Sequence, residues 1–192
     1  MNKKNLTIGL AFSLGLATGA AYAAQQGTAA FTLLVKNTPS GTRKVQYKAQ
    51  NGSNTLVGKP VTNGTGATFN LQLVDGGTQT QCFSMPSSGW SAISTLGFKY
   101  VDPSLANGPV KSAQIKVTPS GNFQIKVIAL GDSTSITVAP GNPTTSYATN
   151  FAIGTGDEYC GSTGTATPNP NDAVTFKVKN DDGTTCPLAA CP

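Results

Sequence analysis

Apolar and polar residues alternate one for one along much of this chain. Phe31, Leu33 and Val35 alternate with Thr32 and Lys36, and Val45, Tyr47 and Ala49 with Lys44, Gln46 and Lys48. Phe69, Leu71 and Leu73 alternate with Asn70 and Gln72, while Phe98 and Tyr100 bracket Lys99. The period continues through Ala113, Ile115 and Val117, then Phe123, Ile125, Val127 and Ala129. It returns in Ile136 and Val138, in Phe151 and Ile153, and in Phe176 and Val178. Successive strand side chains point to opposite faces, so a period of two predicts strands with one buried and one wet face. Such strands favour antiparallel sheets. Between them stand turn formers: Pro39-Ser40-Gly41, Asn51-Gly52, Asp75-Gly76-Gly77, Pro119-Ser120-Gly121, Gly131-Asp132 and Asp182-Gly183. The spacing predicts a sandwich or barrel, with no long helix after the first 23 residues. A membrane barrel is disfavoured, because the outward positions carry Lys, Gln and Thr where lipid requires apolar residues.

The alternation repeats. VKNTPSG (35–41) returns as IKVTPSG (115–121), an offset of 80, and the match extends from 38–56 to 118–136. The offset then drops to 78, so that Leu73 falls on Phe151, Gly76 on Gly154 and Cys82 on Cys160. Fifteen residues separate each of these cysteines from a Phe-Lys pair, Phe98-Lys99 and Phe176-Lys177. Two tandem copies are predicted, 24–109 and 110–192, each the size of a small β domain.

Composition adds location. Residues 1–23 have Lys3 and Lys4, an apolar stretch and Ala21-Tyr22-Ala23, the three parts of a secretory signal peptide cleaved after Ala23. The chain that remains has eleven Lys+Arg against eight Asp+Glu, a mild +3. Charged residues are 11% of the whole, far below the usual quarter, as expected of an extracellular β protein. Behind a signal peptide, Cys82, Cys160, Cys186 and Cys191 read as two disulfides, with three pairings open.

The second half carries GFKYVDPSLANGPVKSAQIKVTPSGNFQIKV, FAIGTGDEYCG and TFKVKNDDGTTCP. Over about 70–187 it resembles a duplicated β-rich module of secreted proteins of Gram-negative bacteria, a module whose motifs specify no activity. In that module a Cys follows the Gly-Pro and another sits in the next strand; here Val110 and a Cys-free FQIKV stand there. The resemblance implies Cys160 with Cys186, and with it Cys82 with Cys191. Cys82–Cys160 with Cys186–Cys191 is the competing arrangement.

Candidate chemistry is sparse. The chain has no His, which excludes Ser-His-Asp and Cys-His systems and His-based metal sites. Glu158 is the only Glu, beside Asp157, and the other acids sit in turns, where Asp usually bonds its own backbone. Asp157, Glu158, Asp181 and Asp182 could share a calcium ion, although no calcium-loop pattern supports it. Trp90, with Tyr100 or Tyr159, could form a platform for a sugar ring, or Trp90 could fold back as a lid on the core. Lys36, Lys44, Lys48 and Lys99 in one copy, and Lys116, Lys126, Lys177 and Lys179 in the other, could line up as a basic face for an acidic polysaccharide, lipopolysaccharide or extracellular DNA. The plainer reading is that they keep exposed strands soluble.

The expectation is an all-β, disulfide-bonded protein of two antiparallel sandwich or Greek-key-like modules, secreted or periplasmic, with no cofactor. It would do non-catalytic structural or binding work at the bacterial surface or in the extracellular matrix. Its partners would be a polysaccharide or another surface protein, and no specific nucleic acid. The alternatives are a carbohydrate-binding or adhesin-like module using Trp90, and a secreted hydrolase using Glu158.

Overall fold

The computed structural model describes residues 25–51, 66–94, 97–154 and 156–192. The signal peptide expectation lies outside them. The described residues form β1 (Gln25–Gly27), β2 (Ala29–Asn37), β3 (Arg43–Asn51), β4 (Ala67–Val74), β5 (Thr78–Met85) and β6 (Trp90–Ser94). Then follow β7 (Gly97–Val101), β8 (Val110–Val117), β9 (Phe123–Gly131), β10 (Ser146–Ile153), β11 (Glu158–Ser162) and β12 (Thr175–Lys179). The fold is all-β. The strands make two sheets, one of five strands in the order β1-β11-β10-β4-β5 and one of seven in the order β12-β2-β3-β9-β8-β7-β6. All neighbours are antiparallel except the short β1, which runs parallel to β11.

The sheets enclose one core, to which both contribute. Val45, Tyr47 and Ala49 of β3 stand opposite Ala129, Val127 and Ile125 of β9, and all six are fully buried. Aromatic pairs join sheet to sheet: Tyr47 stacks on Phe69 at 5.0 Å between centroids and Phe123 on Tyr159 at 4.7 Å. Full burial of a ring of this size contributes about 1.5–3 kcal/mol.

Each sheet draws strands from both sides of residue 109, through the pairs β3–β9, β4–β10 and β2–β12. When strands 78–80 residues apart are equated, the order β12-β2-β3-β9-β8-β7 reads the same from either end, and so does β11-β10-β4-β5. Register follows the same relation. Tyr47 faces Val127, its counterpart at offset 80. The β2–β3 ladder shifts between Ala30 and Thr32, and the β8–β9 ladder between Val110 and Ser112, again 80 residues on. In the five-stranded sheet Cys82 lies opposite Asn70, and Cys160 opposite Asn150. Offset 80 therefore persists through β4 and β10. With Cys82 equated to Cys160, these pairings place the two-residue difference in the hairpins after β4 and β10 and set Leu73 against Ile153, where the sequence alignment set it against Phe151.

Two features differ from the alternation. Phe31 does not point inward with Leu33; the shift between Ala30 and Thr32 turns it outward, 42% exposed. Ile136 and Val138 are buried but belong to no strand. Their segment docks on β5 through side-chain amides: Gln81 Oε1 accepts from Thr137 N at 2.8 Å, and Gln79 Oε1 from Ala139 N at 3.0 Å.

The disulfides are Cys82–Cys191 and Cys160–Cys186. They strap the C-terminal tail over the outer side of the five-stranded sheet. Asn70 and Asn150 each donate an amide hydrogen to the tail, at Ala189 O (3.0 Å) and Leu188 O (2.9 Å).

Candidate functional site

The aromatic residues singled out in the sequence belong to the core. Trp90 is 5% exposed, and Tyr100 and Tyr159 are fully buried. Trp90 Nε1 donates to Met85 O at 3.1 Å, and its ring packs on Tyr100 and edge-on to Phe151. Of the two roles open to Trp90, the lid is the one its position matches; a sugar platform needs an exposed ring face.

The carboxylates of Glu158, Asp181, Asp182, Asp102 and Asp132 are occupied by the protein's own donors. Glu158 Oε2 accepts from Asn150 Nδ2 at 2.8 Å and Gln25 Nε2 at 3.1 Å. Asp181 is buried and accepts from the Tyr147 hydroxyl at 2.9 Å and from Gly164 N at 3.0 Å. Burial and then Asp181 push the Tyr147 phenol up. Asp182 accepts from Thr165 N at 2.7 Å, which lowers its carboxyl. The Asn107 N–H holds Asp102 down. The Thr134 hydroxyl and Ser135 do the same for Asp132, as turn acids bonding locally should. Among the described residues no group of three or more His, Cys, Asp or Glu is placed to hold a metal ion, so Asp157, Glu158, Asp181 and Asp182 are not brought together.

The lysines are brought together. Inward residues of β2, β3, β7, β8, β9 and β12 fill the core, so the alternate positions share the outer face of the seven-stranded sheet. All eight lysines read from alternation lie there, none of them buried. Lys111 adds an exposed ninth at the β8 ladder shift, a position alternation does not reach. Of the eight acids only Glu158 lies within a strand, and that strand is in the other sheet. Lys48 stands directly opposite Lys126, and Lys36 opposite Lys44. Like charges so placed repel, at a cost comparable to the ~0.2–1 kcal/mol that an opposite-charge pair contributes. Lys48 Nζ also sits 4.2 Å from the centroid of the exposed Phe31 ring. Between Lys99 and Lys126 the face dips into a depression of about 260 Å³ floored by Ser112, Ala113 and Gln114. The single arginine takes no part: Arg43 Nη1 donates to Ile136 O at 2.7 Å and Thr137 O at 2.9 Å.

No family model, curated protein or solved structure matches this chain. The two disulfides fit an oxidising, extracellular or periplasmic setting, and among the described residues no helix is long and apolar enough to cross a membrane.

Proposed function

We propose that this chain is a secreted, non-catalytic binding protein of the bacterial cell surface or extracellular matrix. It is built of two tandem copies of one β module, and the outer face of its seven-stranded sheet holds an anionic polymer. The observation that carries this reading is the segregation of charge: the strands of one sheet face carry nine outward lysines and no carboxylate. Lysines that only guard edges belong on edge strands. Here Lys44, Lys48 and Lys126 are on the central β3 and β9; of the two edge strands, β12 carries Lys177 and Lys179 and β6 carries none. A face serving solubility alone would mix the two signs. Opposing Lys48 to Lys126 costs stability that an anionic ligand would return.

The test is retention on immobilised anionic and neutral polysaccharides. Binding to the anionic matrix should weaken steadily from about 0.01 M to about 1 M salt, as the screening length shrinks from about 30 Å to about 3 Å. Equal retention on the neutral matrix, or none on the anionic one, would remove the reading.

A further inference from the structure

The cations on this face are concentrated in one line. Following cross-strand partners from the edge strand β12 across to β7, Lys179 faces Thr32, Thr32 faces Lys48 and Lys48 faces Lys126. Lys126 then faces Gln114, and Gln114 faces Lys99. These six positions hold four lysines and two neutral hydrogen-bonding groups. With strands about 4.8 Å apart the row is about 24 Å long. The adjacent row, from Lys177 through Leu34, Gln46, Ile128 and Ser112 to Val101, has one lysine. On the other side, Gln50, Gln124, Lys116 and Gly97 also include one.

We propose that a linear acidic polysaccharide lies across the strands along this row, its carboxylates on Lys48, Lys126 and Lys99. One acidic sugar seats in the depression between Lys99 and Lys126. This rests on the anionic-polymer reading of the same face. A planar lipid surface would be served by charge spread over every row, whereas one charged row between two sparse ones suits a narrow chain. A nucleic acid would draw on arginine forks for its phosphates and a series of rings for its bases. The single arginine is tied to backbone carbonyls, and Phe31 is the one exposed aromatic among the described residues. Thr32, Gln114 and Ser112 supply the hydroxyl and amide groups that sugar hydroxyls require, and Phe31 gives the row an apolar flank. The other depression near Phe31, about 300 Å³, is lined by Asp181 and Asp182, which keeps an anion on the lysine side.

The test compares two double variants of equal charge, Lys99→Gln/Lys126→Gln in the row and Lys36→Gln/Lys44→Gln outside it. Both are titrated with a linear polygalacturonate fragment at fixed ionic strength. All four side chains point away from the core and each variant relieves one like-charge pair, so both should melt at or slightly above the wild type. The row variant is expected to lose affinity about tenfold or more and the other about twofold. Equal losses would overturn the row and leave the anionic-polymer reading standing. Tighter binding to single-stranded DNA or to anionic phospholipid vesicles than to polygalacturonate would overturn the choice of occupant. No binding to any of the three would overturn both.

Discussion

Trp90 keeps its ring between the sheets, where it touches Tyr100 and Phe151 and ties its nitrogen to Met85 O. Trp90→Ala should therefore act on stability and not on ligand: a loss of about 3–5 kcal/mol in urea unfolding, with polyanion affinity per folded molecule unchanged. A large loss of affinity at unchanged stability would return Trp90 to the binding surface. The repeated Thr-Pro-Ser-Gly turns are equally local in cause. Gly41 and Gly121 have φ of 82° and 81°, the left-handed region that side chains avoid. Thr38 and Thr118 place their hydroxyls identically, accepting from Thr42 N at 3.1 Å and Asn122 N at 3.0 Å. Such residues were legible in the sequence because their conformations depend on neighbours two to four positions away. Phe31 was not, since alternation cannot register the extra residue of a ladder shift.

At the scale of elements, the tail and its disulfides carry a ranked prediction. Cys82–Cys191 spans 109 residues and Cys160–Cys186 spans 26. On chain entropy, Cys82→Ser/Cys191→Ser should cost about 4–5 kcal/mol and Cys160→Ser/Cys186→Ser about 3–4 kcal/mol. Denaturant midpoints of the two double variants check the order; a larger loss from the shorter loop would point to native contacts made by the tail instead. The tail reads as irregular chain because it has neither period; it crosses the sheet with Asn70, Asn150 and two sulfur bridges holding it. β5 is similar. TQTQCFSM has weak alternation, and its pairing with β4 together with the Gln79 and Gln81 bonds to residues 137 and 139 makes it a strand.

For the whole molecule, the interleaving of the two halves matters most. β3 and β4 find their central partners, β9 and β10, only across residue 109. A chain of residues 24–109 should thus form no folded monomer. Its exposed β3 and β4 edges should pair with those of a second copy, because the halves correspond in register through Tyr47 and Val127. Sedimentation with circular dichroism tests this; a folded monomer would show that the first half completes a sheet alone. The basic face is also a property of the whole, assembled from lysines of six strands.

The all-β class, most of the strands with their inward faces, and the Thr-Pro-Ser-Gly turns were determined by the sequence alone, because each depends on side-chain alternation or local backbone preference. The four cysteines and the absence of His bounded the chemistry in the same way. Only the tertiary structure decided that the halves share both sheets and that Cys82 meets Cys191. Only it turned Phe31 out and Trp90 in, and brought Lys179, Lys48, Lys126 and Lys99 into one row. The physical reason is register: a shift of one residue between neighbouring strands sends every side chain to the other face, and register is set by partners far apart in the chain.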